Sequence, residues 1–242
     1  MKTETVGFRG IPCVRLRNEG ATALVALHGA QVLSWIPADG RERLFLGERA
    51  KFAEGSAIRG GVPVIFPQFG ERGALVKHGF ARTLAWRCVD AQGEAAFELR
   101  NDAYTAQWPH AFTAALHTYL HVDDLAGAAL EGLQGCDYED SAAGGVLRRE
   151  DGWEVRFESE VDRIYNDVVA PLLLRDGMRE LAIEQDGFPD VVVWNPGEHL
   201  AARIGDLAPG EYRQFVCVEA GAVLQPEVLA PGESWEGTQT LG

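Results

Sequence analysis

Basic side chains gather at both ends of one segment, residues 58–82, which reads IRGGVPVIFPQFGERGALVKHGFAR. Arg59 stands near its start, before two glycines, and Lys77, His78 and Arg82 stand at its end. The glycines and prolines between them indicate an irregular or edge segment. An arginine fork fits two phosphate oxygens at once, so the segment could bind an anion. The residues alone fit equally well with a surface loop whose basic groups pair with nearby carboxylates.

A stretch with two histidines, FTAALHTYLHV at residues 112–122, has the alternation of a β-strand. Its apolar face belongs in a core, and its semi-polar face is typical of a binding surface or a solvated one. The apolar face holds Phe112, Ala114, Leu116 and Leu120, and the semi-polar face holds Thr113, Ala115, His117, Tyr119 and His121. His117 and His121 would lie about 13 Å apart in an extended strand, too far to share a metal ion. Taken alone, such a histidine is more often a structural, hydrogen-bonded residue than a catalytic one.

A carboxylate stands near the end of the stretch RQFVCVEAG, residues 213–221. Alternation places Glu219 at the end of a predicted strand, on the same face as Phe215 and Cys217. Neighbouring apolar groups would partly desolvate this carboxylate and raise its pKa towards the range of a general base. The alternative is a strand-end glutamate that points into water, which is common in an acidic protein.

The chain as a whole is strongly acidic. Its 242 residues include 22 Lys and Arg against 36 Asp and Glu, which gives a net charge of −14. Nucleic acids and anionic membranes attract basic surfaces, so we expect neither as a partner. The basic segment at residues 58–82 therefore stands out against its surroundings.

Short runs of β-branched and apolar residues recur along the chain between glycine, proline, aspartate and asparagine. Examples lie at residues 13–16, 23–27, 31–36, 84–89, 95–99, 153–161, 191–194, 215–218 and 234–240. Many short strands with regular turns are typical of an all-β sandwich or barrel. We expect only short helical turns, at residues 49–54 and 171–177. No linker or repeat interrupts the pattern, so we predict one domain over residues 1–242.

The cysteines and the N-terminus bear on where the protein works. Cys13, Cys88, Cys136 and Cys217 are scattered and form no CxxC pair, which favours free thiols in a reducing compartment. No apolar run resembles a signal peptide or a membrane span. We expect a cytoplasmic, monomeric protein. Phosphate-loop, Rossmann and HExxH motifs are absent from the sequence, and we expect no metal and no cofactor.

Several of these stretches together resemble a known family. IRGGVPVIFPQFG followed by KHGFAR, then ALHTYLHVDDL and FVCVEAG, are similar to the signature segments of the hexose-6-phosphate mutarotases. These enzymes, also called glucose-6-phosphate 1-epimerases, are a branch of the aldose 1-epimerase superfamily. The matching segments occur in order over most of the chain. The resemblance implies a large antiparallel β-sandwich of the galactose mutarotase type.

The resemblance also implies a role for each matching residue. His117 falls on the family's catalytic histidine and Glu219 on its catalytic glutamate, while Asp162 falls on an aspartate that binds sugar hydroxyls. Arg59 and Arg82 are the first candidates for binding the substrate phosphate. Lys77 and His78 are the second candidates. The substrate would be a small sugar phosphate.

The chain departs from the family pattern at several positions. Lys77 stands where the family often has glutamine, and Val161 replaces a usual threonine. Gly197 follows VVVWNP where the family often has tryptophan. Asp206 matches a recurrent acid to which the sequence assigns no role. His121 matches no functional position, and we expect it to be structural.

The implied chemistry is the interconversion of the α and β anomers of a hexose 6-phosphate, most of all glucose 6-phosphate. Glu219 would take the proton of the C1 hydroxyl while protonated His117 gives a proton to the ring oxygen. Three other functions compete with this one. They are a mutarotase of unphosphorylated aldoses, a non-catalytic sugar-phosphate-binding protein, and a cupin-like metal enzyme, which the histidine spacing disfavours.

Overall fold

The computed structural model describes residues 1–91, 94–107 and 111–242. Within them the chain is almost entirely strands. They are β1 (Lys2–Phe8), β2 (Ile11–Asn18), β3 (Ala21–Ala26), β4 (Val32–Ile36), β5 (Val64–Ile65), β6 (Arg87–Ala91), β7 (Glu94–Glu98), β8 (Ala111–Leu116), β9 (Tyr119–His121), β10 (Ala128–Glu131), β11 (Asp137–Asp140), β12 (Val146–Arg149), β13 (Glu154–Arg156), β14 (Val161–Tyr165), β15 (Leu172–Asp176), β16 (Arg179–Asp186), β17 (Asp190–Asn195), β18 (Phe215–Val228) and β19 (Thr238–Leu241).

Helical structure is short. One α-helix, α1, spans Gly197–Ala201. Single 3₁₀ turns lie at Ala81–Thr83, Thr105–Gln107, Leu125–Gly127, Ser141–Ala143 and Glu211–Gln214. No helix in the described ranges is long and apolar enough to cross a membrane.

The strands form antiparallel sheets, and two of these sheets are the main layers. The first has eight strands in the order β12-β11-β14-β17-β18-β8-β5, with β9 also paired to β18. The second has five strands in the order β13-β10-β15-β16-β19. The first four strands make a separate sheet in chain order, and β6 pairs with β7. The predicted all-β, antiparallel sandwich is confirmed.

Alternation along the central strands decides which residues enter the main core. Val193 of β17 and Val216 and Val218 of β18 pack with Leu130 and Leu174 of the five-stranded sheet. These side chains are fully or almost fully buried. Since neighbouring residues of a strand point to opposite faces, Val192, Trp194, Cys217 and Glu219 face away from this core. That second face of the eight-stranded sheet carries the candidate site.

Three local expectations are wrong. Residues 171–177 form no helical turn, because most of them belong to strand β15 (Leu172–Asp176), which pairs with β10 and β16. Residues 49–54 carry no helix. The predicted strand over residues 112–122 is broken into β8 and β9. His117 and Thr118 lie between them, where His117 N donates to Pro63 O at 3.0 Å and Thr118 N donates to Leu116 O at 2.9 Å. The prediction of a single domain stays a prediction.

Gly61 lets the chain that carries Arg59 pass close to another backbone. Gly61 N donates to Phe45 O at 2.7 Å, and Val62 N donates to Val32 O at 2.8 Å. Gly61 has a φ of +63°, and a Cβ there would collide with the carbonyl oxygen of Val32. Only glycine fits such an approach at this backbone angle.

A matched pair of substitutions tests this constraint. Gly177 has the same φ of +63°, but a Cβ added there would meet no atom within 4 Å. We expect Gly177→Ala to lower the free energy of unfolding by about 1 kcal/mol, the cost of a left-handed backbone alone. Gly61→Ala should lower it by about 3 kcal/mol or more, because two backbones must also separate. Urea denaturation measures both, and equal losses would mean that the close approach at Gly61 contributes nothing.

Candidate active site

A cleft of about 540 Å³ opens on the outer face of the eight-stranded sheet. Its lining includes every site residue named from the sequence. These are Arg59, Lys77, His78, Arg82, His117, Asp162 and Glu219. The structure therefore brings together, in one cavity, residues that are up to 160 positions apart in the chain.

Strand register builds the floor of this cleft. Asp162 of β14 pairs with Trp194 of β17, which pairs with Cys217 of β18. Cys217 pairs in turn with Tyr119 of β9. Glu219 lies two residues beyond Cys217, on the same face of the sheet. Paired residues of adjacent strands share a face, so one row of side chains crosses the floor from Asp162 to Tyr119.

The expectation that Glu219 ends a strand is wrong. β18 continues to Val228, because the small residues after Glu219 pair with β8. Glu219 is therefore in mid-strand and only 1% exposed. The Glu219 carboxylate is thus more completely removed from water than the sequence predicted. The alternative of a carboxylate that points into water is excluded.

His117 and Glu219 face each other in the cleft. His117 Nδ1 lies 3.3 Å from Glu219 Oε1. The two atoms are close enough for an ion pair but are not aligned for a hydrogen bond. Within the described residues, His117 Nδ1 and Glu219 Oε2 are buried and have no hydrogen-bond partner. The two side chains thus each have a buried atom that can bind a proton and that makes no hydrogen bond within the described residues.

Burial moves the pKa values of this pair in opposite directions. Burial lowers the pKa of His117 well below its usual value, and the nearby His78, Arg59 and Arg82 lower it further. Burial raises the pKa of Glu219 well above its usual value, and the charge of Asp162 adds to this effect. Burial thus disfavours the charged form of each group, while the 3.3 Å between them favours the oppositely charged pair. Such a pair can give a proton at one atom and take one at another.

The His117 ring is packed on three sides by rings. The Tyr119 ring stacks on it almost in parallel, with centroids 4.7 Å apart and an interplanar angle of 6°. The edges of His78 and Trp194 complete the enclosure, at 5.5 Å and 6.0 Å between centroids. The sequence did not single out Tyr119 or Trp194. For Tyr119 the signal was available, since it alternates in phase with His117.

His78 is a neutral hydrogen-bonding group and not a cation. Burial lowers its pKa to about 3, and the charges of Arg82 and Lys77 contribute. The Gly70 N–H donates to His78 Nδ1 at 3.2 Å. In the neutral ring the proton is then on Nε2. His78 thus offers one N–H donor and adds no charge to the basic cluster.

Arg82 and Lys77 keep their positive charges unpaired. Arg82 Nη2 donates to Lys77 O at 2.9 Å, and Arg82 Nε is buried without a hydrogen-bond partner. Neither residue forms an ion pair with a carboxylate in the described ranges. The interpretation of a surface loop with paired charges fails for these two residues. Arg72 of the same loop does fit it, because it pairs with Glu139.

Arg59 differs from Arg82 because other side chains already hold it. Its Nε donates to Asp206 Oδ1 at 3.1 Å, and its Nη1 donates to the Tyr119 hydroxyl at 2.8 Å. The structure gives Asp206 the contact that the sequence left open. Asp206 orients and partly neutralises Arg59.

Asp162 lies at the end of the cleft floor that is opposite to Tyr119. Burial raises its pKa to about 6, and the charge of Glu160 contributes. A carboxyl group in this state can accept or donate a hydrogen bond near neutral pH. That property suits contact with hydroxyl groups.

Gly197 shapes the neighbouring wall. It has a φ of +60°, and a Cβ there would lie 2.6 Å from Glu160 N, so a tryptophan could not take its place without a backbone shift. Gly197 starts α1, which brings Leu200, and Ile204 just after it, to the cleft. These apolar residues form the wall here.

One set of side chains could in principle hold a metal ion. Ligand atoms of His117, Cys217 and Glu219 all lie within 4.8 Å of one another. Metals bind the thiolate form of cysteine. Burial, with the Glu219 charge nearby, raises the pKa of Cys217 well above its usual value and keeps the thiol protonated. The set fits a metal poorly, and the absence of a metal requirement stays a prediction.

His121 lies apart from the candidate site, in another cavity beside Asp176 and Arg179.

A family model and several related proteins match this chain, and they point to the same family. The family model of aldose 1-epimerase matches residues 12–116 and 111–242. A protein of Cenchrus ciliaris, provisionally named glucose-6-phosphate 1-epimerase, is 33% identical over 96% of this chain and 84% of its own length. A protein of Escherichia coli K12 with the same provisional name is 36% identical over 81% of this chain and 78% of its own.

A solved structure agrees closely with this fold. The crystal structure of a provisionally named mutarotase from Salmonella typhimurium superposes with a TM-score of 0.92 at 28% identity. The match covers 99% of this chain and 92% of that one.

Substitution of the buried pair tests its chemistry. We expect His117→Asn and Glu219→Gln each to slow exchange between sugar anomers by about 100-fold or more, because each removes a proton-transfer group. NMR exchange spectroscopy, corrected for the uncatalysed rate, measures the effect.

Two variants outside the cleft serve as controls. His121→Asn changes a histidine of the same chain segment, and Glu227→Gln changes a glutamate of the same strand. Both should leave exchange within about twofold of the wild-type rate. Near-normal exchange in a folded His117→Asn or Glu219→Gln protein would contradict the assignment.

Proposed function

Because the chain belongs to the aldose 1-epimerase family, and is an isomerase of that family, we propose that it interconverts the α and β anomers of a hexose 6-phosphate. Glucose 6-phosphate is the first candidate. One observation carries the proposal. Arg82 and Lys77 stand without carboxylate partners among the described residues, in the same cleft as the buried pair His117 and Glu219.

The proposed reaction needs two proton transfers and no net oxidation. Glu219 takes the proton of the C1 hydroxyl, and the electrons of that O–H bond form the C1 carbonyl. The C1–O5 bond breaks, and His117 gives a proton to O5. Rotation about the C1–C2 bond turns the aldehyde over, and the reverse transfers close the ring as the other anomer. Each transfer contributes about 10²–10⁴-fold to the rate.

The exchange starts from an ionised Glu219 and a protonated His117, and each charge stabilises the other across 3.3 Å. In the open-chain state the proton of Glu219 and the vacant site of His117 reverse the starting arrangement. On ring closure Glu219 gives its proton to the C1 oxygen and His117 takes the proton of the O5 hydroxyl, which restores the starting state. The enzyme is then ready for either anomer.

The basic side chains of Arg82 and Lys77, which line the cleft without a carboxylate partner among the described residues, suit a phosphate dianion. Arg82 has a buried Nε with no partner in the described part of the chain, and burial lowers its pKa because water no longer solvates the charge. An anion would restore the lost solvation and accept charge-assisted hydrogen bonds. Anchoring the phosphate orients C1 towards the pair, which raises kcat/KM through positioning.

The names of the relatives support the same substrate class. The similar proteins of Cenchrus ciliaris and Escherichia coli both carry the provisional name glucose-6-phosphate 1-epimerase. We further propose that this chain works as a monomer in the cytoplasm. All four cysteines are free thiols, which agrees with a reducing compartment.

Removal of the Arg82 guanidinium tests the substrate. Arg82→Ala should lower kcat/KM for glucose 6-phosphate by about 10- to 100-fold, the value of one charge-assisted hydrogen-bonding group. Exchange of free glucose should change little, because it has no phosphate to lose. Arg82→Lys should restore only part of the loss, since an ammonium group lacks the two-pronged geometry. NMR exchange rates for both sugars give the comparison.

Arg72→Ala is the matched control, because Arg72 lines the same cleft but is already paired with Glu139. Its effect on glucose 6-phosphate should be clearly smaller than that of Arg82→Ala. Equal fractional losses on both sugars in Arg82→Ala would mean that Arg82 supports the fold or the acid–base pair. In that case the phosphate would bind elsewhere or would not be recognised at all.

A further inference from the structure

We propose that Tyr119 is a positioning residue with two separable functions: its ring orients His117, and its hydroxyl holds Arg59. The part that concerns the phosphate end of the substrate rests on the proposed function above. Tyr119 is 2% exposed, and it lies between the two groups that it contacts.

The His117 ring depends on packing for its orientation. It lies in the break between β8 and β9, so its backbone is not part of a regular ladder. Among the described residues, the Nδ1 atom of the ring is buried without a hydrogen-bond partner. The one nearly parallel contact in the described ranges is with Tyr119, at 4.7 Å between centroids and 6° between planes. This stack keeps Nδ1 directed at Glu219.

The hydroxyl of Tyr119 acts on a different neighbour. Burial raises the pKa of Tyr119 well above its usual value, so the phenol stays neutral. Its oxygen accepts a hydrogen bond from Arg59 Nη1 at 2.8 Å, while Asp206 accepts from Nε. Both contacts together fix the plane of the guanidinium.

The backbone of Arg59 is fixed as well. The buried Gln31 Nε2 donates to Ile58 O at 3.1 Å and to Gly60 O at 2.5 Å, on either side of Arg59. The guanidinium can therefore turn about its side-chain bonds while the Cα stays in place. The Tyr119 hydroxyl and Asp206 are the contacts that prevent this turning. Loss of the hydroxyl should leave Arg59 in the cleft but less ordered.

Two substitutions separate the ring from the hydroxyl. Tyr119→Phe keeps the stack on His117 and removes the acceptor for Arg59. We expect KM for glucose 6-phosphate to rise by about tenfold, the cost of one hydrogen bond to a charged group, with most of kcat retained. Tyr119→Leu removes both contacts, and kcat should fall by a further tenfold or more because His117 is no longer held.

Two comparisons exclude a merely structural effect. Tyr165→Phe removes the buried hydroxyl of a core tyrosine that bonds Glu150, outside the cleft, and should change neither KM nor kcat by more than about twofold. If Tyr119 acts on the substrate through Arg59, the double variant Arg59→Gln/Tyr119→Phe should have the same KM as Arg59→Gln alone.

A spectroscopic measurement is independent of the substrate. The carbon-bound ring protons of His117 should show an upfield NMR shift from the Tyr119 ring, kept in Tyr119→Phe and lost in Tyr119→Leu. This result stands even if the wild-type protein does not exchange hexose 6-phosphate anomers, so failure of the proposed function can be told apart. The inference is overturned if the His117 shifts are the same in both variants. Equal losses of kcat in the two variants, or additive effects in the double variant, would also overturn it.

Discussion

Burial of two ionisable groups on one sheet face is the constraint on which the candidate site depends. The eight-stranded sheet packs against the five-stranded sheet on one side, so Val193 and Val218 exclude water from below. On the other side, which faces the cleft, the rings of Tyr119 and Trp194 pack against His117. Charged forms of both His117 and Glu219 are disfavoured in this environment, and their pKa values shift towards each other's range. Two proton-binding groups with shifted pKa values therefore lie side by side in the cleft.

A second consequence is a division between the arginines of the cleft. Arg59 is balanced by Asp206 and Tyr119, so it contributes an ordered positive charge beside the pair. Arg82 has no such balance within the described residues and retains a buried N–H without a partner. The chain as a whole has a net charge of −14, so the positive charge of the cleft is a local exception. The arrangement fits a substrate that carries a negative charge as well as the reacting carbon.

Sequence patterns were informative where neighbouring residues in the chain decide the structure. Alternation placed Glu219 with Cys217, and His117 with Tyr119, on the face that lines the cleft. It could not show that β18 continues beyond Glu219, because that depends on pairing with a strand about 100 residues earlier. The neutral state of His78 depends on burial and on the charges around it, and the contact between Arg59 and Asp206 joins residues 147 positions apart. Residues 171–177 looked helical in isolation, but Leu172–Asp176 pairs with a strand on both sides and is itself a strand.

We propose that the buried pair His117 and Glu219 acts on a phosphorylated hexose. The most direct test is NMR exchange between the C1 protons of the α and β anomers of glucose 6-phosphate, with wild-type protein and without it. Free glucose at the same concentration gives the comparison. We expect exchange cross-peaks for glucose 6-phosphate at enzyme concentrations where free glucose still exchanges at its uncatalysed rate. Equal acceleration of both sugars would contradict recognition of the phosphate, and acceleration of neither would contradict the acid–base function of His117 and Glu219.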